Sequence, residues 1–348
     1  VTPDRVWISD RNNLILTNTA RGDNLYTIEN SVDSDIAKHT VNREGELIYI
    51  NKDEIIHILS NDMETTTTLK INDSRLIPQS LYCSPSTGDV LVGVRIIEII
   101  GKKPQNIDMI FIGNGKVIRF NNNGQQTQTI PHYNTPYIQY SQFFYAKENN
   151  NGDLVVSSNV RGLDKHFNNV MMYDNTGHII QTIPNKQTIV IDTLFKHPGY
   201  ITENNNGDVI VCNEDSHQSA VVVTTRDGMH RFSYTGPSSR SRLSPAAICT
   251  DALSHILVCD HYTDTVHMID KDGQFLSYLL TDQSPGMEDL WTMSYDKNTH
   301  QLLVGMYFNT VSVYRYIDRQ ISFNGKDHYL AIVKHPILVF VCKKLSEK

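Results

Sequence analysis

Cysteine is scarce in this sequence, and the few present do not pair. Cys83, Cys212, Cys249, Cys259 and Cys342 are scattered, odd in number and free of any C-x-x-C spacing. Such a set argues against both a disulfide scaffold and a structural zinc site. Four of them lie in or beside apolar, strand-like runs and read as buried reduced thiols, which fits a cytoplasmic protein. Long apolar runs are lacking as well. The stretch "PILVFVC" (336–342) is far too short to span a bilayer, so no membrane partner is expected. No secretory signal stands at the start of the stretch, which opens on Val1.

Positive charge is in deficit: 31 Lys and Arg stand against 38 Asp and Glu, a net charge of −7. That excludes a globally basic nucleic-acid binder. No DNA partner is expected, and any RNA contact needs a local basic patch. Catalytic signatures are missing too. There is no H-E-x-x-H, no G-x-S-x-G and no G-x-x-x-x-G-K. The expectation is a chain with no catalytic residues, no metal and no cofactor. Finally, no segment carries a long helical period, which disfavours α/β architectures.

What is present is repetition. "ENNNGDLVVSSN" (148–159) returns as "ENNNGDVIVCNE" (203–214). In each copy Asn and Gly supply the left-handed backbone of a tight turn between two β-rich runs. The run after the turn recurs as "RVWISD", "ELIYIN", "DVLVGV", "DLVVSS", "DVIVCN", "HILVCD" and "QLLVGM". A third run follows each of these, and a fourth follows most. The spacing of roughly 40–65 residues is that of a four-stranded propeller blade. A lone sheet of this kind cannot bury both faces, but a ring of them can.

The expected fold is therefore an all-β propeller of four-stranded blades over residues 1–317, with seven repeat units. The first unit lacks a first strand. The tail, 318–348, holds candidates for ring closure: "DHYLAIV" (327–333) as the last blade's fourth strand and "ILVFV" (337–341) as the first blade's missing strand. The alternative is six blades, with one malformed unit and a loose tail.

The unit "PAAICTDALSHILVCDHYTDTVHMIDKDGQFLSYL" (245–279) resembles an NHL repeat. Pro245 precedes an apolar strand, Asp251 ends it, Asp260 closes "ILVCD", and "VHMID" leads into "DGQF". No Trp-Asp pair ends the third strands. The phrases "HTVNREGELIYI" (39–50), "YCSPSTGDVLVG" (82–93), "YITENNNGDV" (200–209) and "RFSYTGPS" (231–238) are similar to the C-terminal domain of mollusc-like tripartite-motif (TRIM-NHL) proteins. In that family a RING finger, B-boxes and a coiled coil precede the propeller. The RING carries ubiquitin-ligase activity and the propeller recognises protein or RNA. The resemblance implies the recognition half here, without ligase chemistry in this chain. The extra unit around 140–183 departs from the family's usual six.

Strand alternation sends the loops between second and third strands, and those from fourth strands to the next blade, to the same end of their sheets. Those of units three and four are expected to be long, over 95–116 and 158–169, and long loops on a rigid scaffold commonly carry function. The candidate binding residues are the basic Arg95, Lys102, Lys103, Arg161, Lys165, His166, Arg240 and Arg242 with the aromatics Tyr133, Tyr137, Tyr262, Tyr307 and Phe308. They suit an acidic protein segment anchored by Arg and Tyr, or RNA phosphates and bases. The bland reading is solvated loop decoration. Glu98, Asp108, Asp164, Glu214 and Asp215 dilute the positive field. Arg226 falls at the opposite end of the sheets.

A third possibility is a metal-dependent hydrolase or lactonase. Glu203, Asn204, Asp251 and Asp296 end first strands and suit ligation, yet their motifs are explained first as hairpin turns. His255 and His300 read as turn residues, and His261 and His267 as residues flanking strand ends.

Overall fold

The β-branched runs form strands, and the Asn, Asp and Gly clusters between them form turns. The computed structural model describes residues 5–9, 13–18, 21–29, 39–84, 86–102, 108–131, 138–162, 166–184, 194–237, 242–285, 287, 289–297, 299–306, 310–323 and 326–340. Of these, 95–102, 108–115, 131, 138–147, 158–162, 166, 167, 310, 315–323 and 326–340 are described by backbone alone.

Seven antiparallel sheets follow one another along the chain, and the fold is an all-β, seven-bladed propeller with no helix among the described residues. Blade one holds β1 (Arg5–Ser9), β2 (Asn13–Asn18) and β3 (Asn24–Glu29). Blade two holds β4 (His39–Val41), β5 (Leu47–Ile50), β6 (Ile56–Leu59) and β7 (Thr66–Leu69). Blade three holds β8 (Leu76–Cys83), β9 (Val90–Lys102), β10 (Asp108–Phe120) and β11 (Gln126–Pro131). Blade four holds β12 (Ile138–Glu148), β13 (Leu154–Gly162), β14 (His166–Tyr173) and β15 (Ile179–Ile183). Blade five holds β16 (His197–Glu203), β17 (Val209–Glu214), β18 (Ala220–Thr224) and β19 (His230–Tyr234). Blade six holds β20 (Pro245–Thr250), β21 (Ile256–Asp260), β22 (Thr265–Ile269) and β23 (Phe275–Leu280). Blade seven holds β24 (Leu290–Asp296), β25 (Gln301–Met306), β26 (Thr310–Phe323) and β27 (Lys326–Phe340).

The chain divides into two compact units. Unit one is residues 30–201 with 226–229, beside Val1. Unit two is residues 2–29, 202–225 and 230–348. In unit one, Ile48, Ile50 and Ile56 of blade two pack with Val92, Ile118 and Phe120 of blade three. Leu91, Val117 and Ile130 then pack with Val156, Met171 and Tyr173 of blade four. In unit two, Ile8 and Ile15 of blade one pack with Val313 of blade seven. Middle strands such as β18, β21 and β22 are buried along their whole length. Fourth-position strands such as β7 are mostly exposed. A sheet covered on both faces has this pattern.

The repeated phrase is one turn built twice. Asn149 Oδ1 accepts from the N–H of Asn151 and Asp153, and Gly152 takes φ 84°. Asn204 Oδ1 does the same for Asn206 and Asp208, with Gly207 at φ 83°. Blade six repeats it with Asp251 accepting from Leu253 and His255.

Residues 327–333 pair as the last blade's fourth strand, and the second half of the tail differs from expectation. β27 is one continuous strand paired with β26, from Phe323↔Lys326 to Thr310↔Phe340. Residues 337–340 therefore belong to blade seven, and the described part of blade one has three strands. Residues 337–340 run straight on from "DHYLAIVKHP" along an already formed edge, so no chain reversal carries them to another blade.

Candidate functional site

In unit one, the expected long loop over 95–116 is largely strand. Register runs through Ile96↔Gly113, Ile97↔Ile112, Ile99↔Ile110 and Lys102↔Asp108. The isoleucines of "RIIEII" and the run "MIFI" favour a paired ladder over an irregular loop. The loop expected over 158–169 is shortened in the same way by Ser158↔Asn169 through Arg161↔His166. The register sets Arg95 opposite Ile77, Lys102 opposite Asp108 and Arg161 opposite His166. It thus brings Arg161 and His166 together at one hairpin end. Lys103, Tyr133, Tyr137 and Lys165 lie outside the described residues.

In unit two, Arg240, Tyr307 and Phe308 also lie outside the described residues. Arg242 is exposed, and its guanidinium donates to the backbone carbonyl of Asp215. Tyr262 is 74% exposed, and the turn beneath it is tightly held. Asp260, 1% exposed, accepts at Oδ1 from the N–H of Ser244 (2.9 Å) and Tyr262 (3.1 Å), and at Oδ2 from Thr263 Oγ1 (2.7 Å). A buried carboxylate satisfied by three donors fixes the loop and so presents Tyr262 to solvent.

Next to it lies a residue that the sequence reading missed. Trp291, 37% exposed, stands at the start of β24 and meets the His261 ring edge-on, with centroids 5.0 Å apart. His261 is anchored in turn: Nδ1 lies 2.8 Å from the Leu290 carbonyl, and the backbone N–H of His261 donates to Ser244 O. Asp264 Oδ1 accepts from Leu290 N–H at 2.7 Å. The DHYTD turn of blade six is thus pinned to the entry of blade seven. No motif marks Trp291; the only sequence signal is a tryptophan beside the acidic "MED".

His267 does not flank a strand end. It is the middle residue of β22 and is 2% exposed. One ring nitrogen meets Tyr234 Oη at 2.9 Å and the other Thr265 Oγ1 at 2.8 Å, and Asp260 Oδ2 lies 3.8 Å away. Burial lowers its pKa, partly offset by the Asp260 charge. The same burial raises the Tyr234 hydroxyl well above its usual range. The sequence signal is a row of polar residues (Asp260, Thr263, Thr265, His267) inside the otherwise apolar hairpin of β21 and β22. This network holds the turn that carries Tyr262.

Of the residues suited to metal ligation, Asn204, Asp251 and Asp296 are occupied as turn formers, while Glu203 lies buried at the end of β16. Asn204 Nδ2 donates to Asp208 Oδ2, Asp251 Oδ2 lies 2.7 Å from His255 Nδ1, and Asp296 Oδ2 accepts from Thr299 Oγ1. Among the described residues no group of three or more His, Cys, Asp or Glu is placed to hold a metal ion. Among them too, no helix is long and apolar enough to cross a membrane.

No protein-family model matches the chain, and no curated protein sequence matches it. Solved structures do. The chain is similar to a streptogramin B lyase at 15% identity, with 88% of each chain covered and a TM-score of 0.57. It is similar to the WD40 β-propeller domain of Doa1 at 16% identity, covering 89% of this chain and 88% of that one, with a TM-score of 0.56. It is similar to the Dos1 propeller at 13% identity, covering 86% and 71%, with a TM-score of 0.59. At these identities the likeness shows the fold alone. Propellers commonly mediate protein interactions, and some are enzymes.

Proposed function

We propose that this chain is a recognition module. It captures a protein partner through the loops joining second to third strands and fourth strands to the next blade, as the substrate-recognition domain of a TRIM-like ubiquitin ligase. The observation that carries the reading is Tyr262: a large aromatic, 74% exposed, on a turn rooted by buried Asp260. Rigid aromatics presented from pinned loops are the residues that anchor protein interfaces. The four TRIM-NHL-like phrases support the choice of parent. Arg161 and Lys165 of unit one are the basic contacts in this reading; in unit two the contact is Tyr262, with Arg242 held by the Asp215 carbonyl.

RNA is the second reading, and it draws on the same arginines and lysines. Affinity capture with and without nuclease separates the two. A protein partner is retained after nuclease treatment. An RNA ligand is lost, and its affinity falls steeply with salt, by a log–log slope of about 0.7–0.9 per phosphate contact. Capture of neither, by protein verified as folded, contradicts the recognition reading.

A further inference from the structure

The described aromatics at this end of unit two sit among carboxylates. Across the described residues of 214–219, 235–237, 242–244, 261–264, 281–285, 287 and 289, the acids Glu214, Asp215, Asp264, Asp282 and Asp289 outnumber the one arginine, Arg242. Arg242 is already committed to the Asp215 carbonyl. Glu214 and Asp282 are exposed, and Asp215, Asp264 and Asp289 half-buried. Of the other large exposed hydrophobics, Leu25, Tyr26, Ile179, Ile180, Leu276 and Tyr278 lie on the solvated fourth-position strands β3, β15 and β23, while Ile55, Met229 and Leu253 lie singly in turns. Tyr262 and Trp291 instead stand at loop and strand entries of neighbouring blades, joined through His261.

We propose that the rim of blades five to seven docks a cationic segment of a partner protein, with lysine or arginine side chains set against Trp291 and Tyr262. This rests on the recognition reading above and names the chemistry of the partner. Ring faces attract ammonium and guanidinium groups, tryptophan most strongly. The surrounding carboxylates add attraction at longer range and repel an acidic segment or a phosphate backbone. The side chains are held before a ligand arrives. The Asp260 turn fixes Tyr262 (3.1 Å from its N–H), and His261 against the Leu290 carbonyl (2.8 Å) backs the Trp291 ring. Little ordering is then left to oppose binding.

The chain has two tryptophans, Trp7 at 6% exposure and Trp291 at 37%. In a Trp7→Phe background the fluorescence of the full chain therefore reports on Trp291 alone. The probes are a short lysine–glycine peptide, its glutamate–glycine counterpart and a short single-stranded RNA. The lysine peptide is expected to give a saturable change in Trp291 emission that weakens with salt. Tyr262→Ala is expected to reduce its affinity about tenfold, and Asp282→Asn by a smaller factor. The glutamate peptide and RNA are expected to give no saturable change. Anisotropy of labelled peptides with the unsubstituted protein and with Trp291→Ala provides the same comparison where Trp7→Phe does not fold. The inference is overturned by no saturable binding of the lysine peptide, by unchanged affinity in folded Tyr262→Ala, or by the same response to RNA or the glutamate peptide. Failure here, with a nuclease-resistant protein partner still captured by the parent, sinks the cationic assignment and leaves the recognition reading standing.

Discussion

Arg226 donates a 2.8 Å hydrogen bond to Oδ2 of Asp153, 73 residues earlier in the chain. The two side chains are 37% and 18% exposed. Asp153 is the last residue of the first "NNNGD", and its Oδ2 also accepts from Asn149 Nδ2 at 3.1 Å. The second "NNNGD" ends on Asp208, which pairs with Arg231, and Arg231 reaches on to Asp272 of blade six at 2.8 Å. The repeated phrase thus builds a turn and also presents a carboxylate to an arginine from another turn or strand.

Removing either partner of the first pair is expected to destabilise the fold by about 1 kcal/mol. Asp153→Ala is expected to cost more than Arg226→Ala, because it also strips Asn149 of an acceptor. A double-mutant cycle in urea is expected to show a coupling of about 0.5–1 kcal/mol. Strict additivity contradicts the pairing.

Acid is expected to weaken the protein through His267. Its folded pKa is lowered by burial below the ordinary value of about 6.5. Between the two values the unfolded chain binds a proton that the folded chain does not. The contribution is present above about pH 6.5 and is lost as pH falls toward the folded pKa. His57 is shifted the same way by burial, against the opposing charge of Asp53. Urea midpoints measured from pH 7.5 to pH 5 are expected to fall, and less steeply in His267→Gln. Equal slopes in the two proteins contradict a neutral, buried His267. Tyr234→Phe removes the hydroxyl at 2.9 Å and is expected to cost about 1–3 kcal/mol.

The cysteines make a kinetic prediction. Burial pushes the Cys83 thiol up to about 11 and raises Cys212 and Cys259 as well. Little thiolate is present at neutral pH, and little of each side chain is accessible. A thiol reagent is expected to leave these three unmodified in the native protein and to label them on unfolding. Rapid native-state labelling located at any of the three by peptide mass contradicts their placement in strands.

Deleting residues 324–348 removes β27 and leaves β26 as an unpaired edge from Thr310 to Phe323. Long bare edges invite aggregation. The truncated chain is expected to be insoluble or to melt well below the parent. A melting temperature within a degree or two of the parent's contradicts the continuous β26–β27 pairing.

The blade pattern was legible because its signals are local. Asn-Gly turns and β-branched runs report on neighbours a few residues apart, and the repeat multiplies them. The second half of the tail was misplaced because "ILVFV" suits any open edge. Which edge it joins depends on the strand already formed before it. The long-loop reading of 95–116 failed where turn-like Gly101, Lys102 and Pro104 outweighed the isoleucines on either side. At the candidate site, Tyr262 could be singled out from its loop. Trp291 could not, since its proximity to His261 comes from the packing of blade six on blade seven. The Asp260–His267 network was half visible. Polar residues inside a buried hairpin signal a satisfied network, but Tyr234 enters it from 33 residues away.

The central claim is that protein recognition occurs at the loops between second and third strands and between blades. The most direct measurement is affinity capture quantified by mass spectrometry, comparing the parent with two charge-reversal variants. One is Arg161→Glu with Lys165→Glu in unit one; the other, Arg240→Glu with Arg242→Glu in unit two, adds carboxylates to the acidic rim and is expected to retain a cationic partner. Arg226 is no control, being held by Asp153. Asn123→Glu and Leu253→Glu alter exposed turns at the other end of their sheets. The account predicts that at least one reversal variant, folded by thermal melt, loses nuclease-resistant partners that the control retains. Retention of every partner by both variants contradicts it.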